Sequence, residues 1–208
     1  MVNEMKTIFF DFARTIVQHP EDGAGLEIVK SYGVTDEKDI EIIRNAIFCV
    51  GKYLNNLDDG SMPRDEYRRL MKEELPEHLG DIAVKAADYH MSVLPPIEGM
   101  KDLLRKLKND GFKLYITSNL DEYHTAQMRE TEYADYFDGM FFSCEVGIRK
   151  PYKGFFEAAL KRFNVKPEDC LFIDDLEENV LGARECGIKS FVFRGNPKEA
   201  EQFIYEAD

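Results

Sequence analysis

The sequence predicts an α/β protein, in which a parallel sheet is flanked by helices and a helical block follows the first strand. Residues 8–10 form a short apolar run that leads directly into the carboxylate of Asp11, as is typical of a strand buried on both faces. From Ile97 onward, short apolar strands alternate with helices, which implies right-handed crossovers between parallel strands. The intervening stretch has helical periodicity and no clear strand.

The inserted block is predicted to be all-helical and to end at the Pro95-Pro96 pair, because proline interrupts a helix. We therefore predict a core domain of residues 1–15 and 94–208 and a helical cap domain of residues 16–93. Within the cap, helices are expected at residues 25–32, 36–54, from Ser61 or Pro63 onward and at 81–91, with a turn at 57–61.

The second part of the core is predicted from the same alternation. A helix around Leu104 is expected to stop at Asn109-Asp110-Gly111, a helix-termination signal. The predicted strands lie at residues 112–117, 140–142, 171–173 and 190–193, and the further predicted helices run to about residue 130, at 152–163, at 177–185 and from 197 onward.

Charge and cysteine content limit the partners that we expect. The 208 residues carry a net charge of −13, which argues against nucleic acid or an anionic membrane surface as a partner, because their phosphates would be repelled. The four cysteines are widely separated, without paired spacing, which favours reduced thiols in the cytosol. No apolar stretch is long enough to span a bilayer or act as a signal peptide. We expect a cytoplasmic protein that is a monomer or a homodimer.

Polar residues follow three of the predicted strands, as Asp11, Ser118-Asn119 and Asp174-Asp175. Open α/β sheets bind ligands at the carboxyl ends of their strands. If these ends lie side by side, Asp11 and Asp175 can share Mg²⁺, which prefers oxygen ligands. Asp11 is then a candidate nucleophile or metal ligand, and Ser118 offers a hydroxyl group to a ligand oxygen. The alternative is that these aspartates only cap a turn and a helix.

Lys150 precedes Pro151, so it is expected on a constrained extended turn and not in a helix. A solvated surface lysine is the ordinary alternative. Near three carboxylates, however, its ammonium group would neutralise the nucleophile and a transferring phosphoryl group.

These residues form four motifs in order: Asp11 through Thr15, Ser118-Asn119, Lys150-Pro151, and Asp174-Asp175 followed by Asn179. In these four motifs and their order, the sequence resembles the haloacid dehalogenase-like (HAD) superfamily. Within that superfamily it is most similar to the phosphatases that act on sugar phosphates and related metabolites. The resemblance implies a Rossmann-like core with a small α-helical cap.

The resemblance also implies site roles. Asp11 would attack phosphorus to form an aspartyl-phosphate and would bind Mg²⁺. The backbone carbonyl of Ala13 and the carboxylate of Asp175 would complete the metal site, with Asp174 as a further ligand or an outer acceptor. Ser118 would bind the phosphoryl oxygens and Lys150 would balance their charge. The remaining candidate substrate-binding residues are Arg14, Thr15, which would steady the first loop, and Asn119.

The departure from the family pattern is Ala13. Family phosphatases usually carry a second aspartate here, which acts as general acid and base; losing such a group costs about 10²- to 10⁴-fold in rate. Arg14 also replaces a small residue, and it could clamp an anion or pair with a carboxylate. His19 is a candidate to replace the missing acid, although for His19 and His124 a solvated or helix-end position is the simpler expectation.

Three hypotheses remain open. Slow or selective Mg²⁺-dependent hydrolysis of a small phosphorylated metabolite ranks first. Family members that cleave a carbon–phosphorus bond also carry alanine at this position and use a cap lysine as a Schiff base. The third hypothesis is a regulatory module that binds phosphate and metal without turnover. The cap lysines to consider are Lys30, Lys38, Lys52, Lys72 and Lys85.

Overall fold

A computed structural model describes residues 7–19, 24–49, 53–89 and 91–207, and within these ranges five strands form one sheet. All neighbouring strands are parallel, in the order β3-β2-β1-β4-β5. The predicted parallel α/β architecture is therefore confirmed. The strands are β1 (Thr7–Phe10), β2 (Lys113–Ser118), β3 (Gly139–Phe142), β4 (Cys170–Asp174) and β5 (Lys189–Val192).

The central strand β1 is buried on both faces. Ile8 and Phe10 pack into the apolar cluster on one side of the sheet, and Phe9 packs with Phe172 on the other side. This two-sided burial explains why the strand is a continuous apolar run without alternation. The register sets Phe10 opposite Ile173 of β4, so the residues that follow β1 and β4 emerge together at one edge.

The helices also follow the predicted alternation. Between β1 and β2 lie α1 (Ala24–Ser31), α2 (Glu37–Arg44), α3 (Leu54–Asp58), α4 (Arg64–Glu74), α5 (Glu77–Ala87) and α6 (Met100–Asn109), and the later helices are α7 (Glu122–Met128), α8 (Lys153–Phe163), α9 (Glu177–Glu185) and α10 (Pro197–Ala207).

Helix boundaries in the inserted block differ from the predictions. The helix expected over residues 36–54 ends at Arg44, continues as a π-helical turn at Asn45–Cys49, and is followed by the separate helix α3. The expected turn at 57–61 is shorter, because α3 continues through Asp58. Helix α5 begins at Glu77, not residue 81: Leu75 precedes a proline and is extended, which separates α4 from α5.

The inserted helices pack around their own apolar cluster, which includes Ile43, Tyr67 and Leu79. Two connecting segments join this block to the core, and they run side by side: the amide of Gln18 donates to the Pro95 carbonyl at 2.8 Å, and the amide of Ile97 to the Ile16 carbonyl at 3.0 Å. Ile16 itself packs into the core cluster. The division of the chain at residues 15 and 93 stays a prediction. The described helices include none that is long and apolar enough to cross a membrane.

Candidate active site

A buried lysine links two of the strand-end carboxylates. Nζ of Lys150 lies 2.6 Å from Oδ1 of Asp11 and 2.6 Å from Oδ2 of Asp174. The hydroxyl of Ser118 donates to the same Asp11 oxygen at 2.9 Å. The Lys150 side chain is 1% exposed, and the two neighbouring carboxylates raise its pKa against the opposing effect of burial. Lys150 is therefore a fixed positive charge beside the Asp11 carboxylate.

The backbone around Lys150 is held by two neighbours. The side-chain amide of Asn119 accepts from the Lys150 amide at 2.8 Å and donates to the Lys150 carbonyl at 3.1 Å. Pro151, the residue after Lys150, lies against helix α9. The approach is so close that a Cβ on Gly182 of this helix would lie 2.2 Å from the Pro151 carbonyl oxygen. Only glycine permits that approach. Two segments distant in sequence thus fix the position of the ammonium group.

Asp174 is fully engaged with protein donors. Its oxygens accept from the Leu176 amide at 2.8 Å and from the Asn179 side chain at 3.0 and 3.1 Å, besides Lys150. Asp174 is completely buried, and that burial raises its pKa while Lys150 opposes the rise. Because protein donors occupy both of its oxygens, the Asp174 carboxylate is held in place, and it in turn orients the ammonium group of Lys150.

Asp175 lies beside two other carboxylates, those of Asp11 and Asp174. Burial, followed by the charges of Asp11 and Asp174, raises its pKa to about 7. Carboxylate oxygens of these three residues lie within 4.8 Å of one another. Hard divalent cations bind such oxygen groups, and a dication would relieve the repulsion that raises the pKa of Asp175. The donor set therefore fits Mg²⁺.

A cavity of about 300 Å³ opens at this edge of the sheet. The overall charge of the chain is negative, yet three cations face this cavity: Arg14, Arg149 and Lys150. They provide the local positive charge that an anionic substrate needs. The candidate residues that line the cavity are Asp11, Ala13, Arg14, Ser118, Asn119, Lys150 and Asp175.

Two of the candidate substrate-binding residues are bound or buried by the protein itself. Thr15 is fully buried in the turn after β1 and is not among the residues that line this cavity, so substrate contact gains no support, while its role in steadying the first loop stays a prediction. Asn119 does face the cavity, but its amide is bound to the Lys150 backbone, so it positions the lysine. Arg14 faces the cavity with φ of 56°, a left-handed conformation that a small residue adopts more easily.

A second cavity, of about 150 Å³, lies between the inserted helices and the core. His124 lines it; this histidine lies in the first turn of α7, one of the two expected positions, and is buried. Its Nδ1 lies 2.6 Å from Oδ2 of Asp121, and Arg64 reaches Asp121 at 3.3 Å from the insertion. Sequence reasoning missed this network because its members belong to no motif and are 57 positions apart at the Arg64–Asp121 contact.

Asp58, at the end of α3, was also missed, because it falls in a run that has the composition of a turn. It lines both cavities. Burial raises its pKa to about 7, with the charge of Asp121 as the next cause.

Comparison with known proteins identifies a family model and several relatives that match this chain. A family model described as haloacid dehalogenase-like hydrolase matches residues 5–187. The sesquiterpene phosphatase astK of Aspergillus oryzae is 38% identical over 96 residues, which cover 46% of this chain and 49% of that protein. A glyceraldehyde 3-phosphate phosphatase of Pyrococcus furiosus is 29% identical over 129 residues, covering 61% of this chain and 54% of its own length. The chain therefore aligns with about half the length of these relatives.

The fold comparison extends over nearly the whole chain. An enzyme of the HAD family from Bacteroides thetaiotaomicron, whose mutant was crystallised with magnesium and inorganic phosphate, has a TM-score of 0.66 and 20% sequence identity. The alignment covers 92% of this chain and 95% of that one. At this identity the similarity shows a shared fold.

Proposed function

The chain belongs to the haloacid dehalogenase-like hydrolase family, and from this premise we propose that it is a Mg²⁺-dependent phosphatase of a small phosphorylated metabolite, a sugar phosphate or a similar ester. The observation that carries the proposal is the convergence of Asp11, Ser118 and Lys150 at 2.6 to 2.9 Å in a cavity lined by cations. The relatives named as phosphatases, one of them for a sugar phosphate, support the same class of substrate.

Asp11, Asp175 and the carbonyl oxygen of Ala13 would hold the metal ion. Their oxygen chemistry and the excess negative charge of the three carboxylates support this assignment. Asp174 would act from the outer shell, because its oxygens already accept bonds from Lys150, Asn179 and a backbone amide. When bound, Mg²⁺ would neutralise charge on the phosphoryl group.

Asp11 would act as the nucleophile, and its carboxylate would form an aspartyl-phosphate while the alcohol leaves. Lys150 would offset the charge of that carboxylate so that an anionic ester can approach it. Ser118 holds one Asp11 oxygen and lines the cavity, so its hydroxyl can turn to a phosphoryl oxygen. These contacts are positioned before substrate arrives, which reduces the cost of reorganisation during the reaction.

Carbon–phosphorus cleavage by a cap lysine gains no support from the described residues. Lys30, Lys38, Lys72 and Lys85 are all exposed, and neither cavity is lined by any of them. Lys52 lies outside the described residues. Binding without turnover remains the second candidate, because Ala13 cannot transfer a proton.

The test is phosphate release from a panel of phosphomonoesters, with and without Mg²⁺. Wild type should release phosphate only with the metal, and Asp11→Asn should reduce release to background because the nucleophile is lost. Asp102→Asn, which changes an exposed carboxylate on α6, is the matched control and should retain wild-type activity. Tight binding of phosphate and Mg²⁺ by a wild-type protein that releases no phosphate would favour the binding module.

A further inference from the structure

We propose that Asp58, supplied by the inserted helices, is the general acid and base that Ala13 cannot provide. The inference rests on the proposed phosphatase function and adds a residue for which the family motifs give no role. The two cavities share some of the residues that line them, and the scissile ester oxygen would lie beside these shared residues.

The larger cavity contains Asp11 and Lys150, so it would receive the phosphoryl group. The smaller cavity shares Ala13 with the larger one and is lined mainly by apolar residues, so it suits the alcohol portion of the ester. The oxygen that joins the two portions must lie where the cavities meet. Five residues line both: Ala13, His19, Asp58, Ser118 and Asn119.

Of these five side chains, only Asp58 and His19 carry a group that can exchange a proton near neutral pH. A histidine does so at its ordinary pKa, and a carboxyl group does so when burial raises its pKa. We assign the role to Asp58. Its pKa of about 7 keeps much of it protonated at neutral pH, and Asp121, Asp59, Arg64 and Arg149 are the charged groups that act on it. A carboxyl group poised near the working pH can both give and take a proton.

Asp58 is also anchored to the core, although it belongs to the insertion. The Ser143 hydroxyl donates to the backbone carbonyl of Asp58 and accepts from the Leu120 amide at 3.0 Å. Two residues later, a Cβ on Gly60 would lie 3.3 Å from the Cys144 carbonyl oxygen, so the chain rests directly on the core at this point. This anchoring fixes the backbone at Asp58, a residue that lines both cavities.

The proposed cycle is balanced. As the bond from Asp11 to phosphorus forms and the phosphorus–oxygen bond of the ester breaks, the Asp58 carboxyl gives its proton to the departing oxygen, which leaves as an alcohol. Its carboxylate then takes a proton from water, whose oxygen attacks phosphorus and displaces Asp11. Inorganic phosphate leaves, and Asp11 and the protonated Asp58 are regenerated.

The test compares wild type, Asp58→Asn and Asp81→Asn on an alkyl ester, glycerol phosphate, and an aryl ester, p-nitrophenyl phosphate. The alkoxide needs a proton and p-nitrophenolate does not. Asp58→Asn should therefore lose about 10²-fold or more in kcat on glycerol phosphate. On p-nitrophenyl phosphate it should give a burst of about one p-nitrophenol per protein followed by slow turnover, because water activation is also lost. Asp81→Asn, an exposed carboxylate of the insertion, should match wild type.

Adding Ala13→Asp to Asp58→Asn should restore at least part of the lost activity, because an acid returns to the same junction. Equal losses on both esters without a burst, or no loss on either, would overturn the inference while leaving the phosphatase function standing. The same loss in His19→Gln with none in Asp58→Asn would assign the role to His19 and refute Asp58. A wild type inactive on every phosphomonoester would instead remove the proposed function and this inference with it.

Discussion

Lys150 and Asp11 are 139 positions apart in sequence, and yet the lysine nitrogen lies 2.6 Å from an Asp11 oxygen in a buried site. The same nitrogen contacts Asp174 at an equal distance. One positive charge thus serves two carboxylates, with the third, Asp175, close by. This arrangement leaves an excess of negative charge that a divalent cation would balance.

Replacement of the lysine should affect both stability and activity. In Lys150→Met, Asp11 and Asp174 lose their buried partner, and breaking such an ion pair costs about 3–5 kcal/mol. We expect a lower melting temperature and phosphate release at background. Lys153→Met is the control, since Lys153 pairs with Glu157 on the surface, where ion pairs contribute about 0–1 kcal/mol. Similar losses in the two variants would argue against a special role for Lys150.

Gly182→Ala should displace the lysine loop. The added methyl group would collide with the Pro151 carbonyl oxygen, and overpacking of this kind costs about 1–3 kcal/mol. A misplacement of about 1 Å near reacting groups can reduce the rate about 10²-fold. Urea unfolding and phosphate release measure the two effects. Leu181→Ala, at a half-exposed neighbour in α9, should change both far less; equal effects would contradict the account of Gly182.

Asp58→Asn should change how stability depends on pH. The pKa of Asp58 is raised from 3.8 to about 7 in the folded protein. Between these two pKa values the folded state holds a proton that the unfolded state releases. The contribution of Asp58 to the stability of the folded state is therefore complete below about pH 4 and is lost as the pH rises through about pH 7. The asparagine variant avoids that loss. Its melting temperature relative to wild type should rise between about pH 4 and pH 7 and level off above, and a difference independent of pH would contradict the raised pKa.

Metal binding should weaken as the pH is lowered. Protons compete with Mg²⁺ for Asp175, whose pKa is about 7 without metal. Titration calorimetry should therefore show a lower Mg²⁺ affinity at about pH 6 than at about pH 8. Asp175→Asn should weaken binding at both pH values and reduce the thermal stabilisation by Mg²⁺. Unchanged affinity in this variant would place the metal elsewhere.

Much of this site was predictable because its residues follow strands. The apolar runs before Asp11 and Asp174 identified buried parallel strands, and parallel strands bring their carboxyl ends to one edge. The Lys150-Pro151 dipeptide marked an extended turn, but its contact with Asp11 and Asp174 follows from the fold and not from local sequence.

The insertion was less predictable. Its helices are stabilised by packing against one another. The periodicity of apolar residues therefore predicts that helices occur there more reliably than it predicts the residues at which they begin and end. The start of α5 at Glu77 depends on Pro76, and the change from α-helix to π-helical turn after Arg44 occurs where the sequence has neither proline nor glycine. Asp58 and His124 gain their environments from contacts between the insertion and the core, which no spacing along the chain reveals.

The most direct test of the account is to stop turnover with acid and to look for the covalent intermediate by mass spectrometry. The Asp58→Asn variant with p-nitrophenyl phosphate and Mg²⁺ should gain the mass of one phosphoryl group, and peptide mapping should locate it on Asp11. Asp58→Asn combined with Asp11→Asn should gain none. A phosphoryl group on a residue other than Asp11, or one gained by the variant that lacks Asp11, would contradict the assignment of Asp11 as the nucleophile.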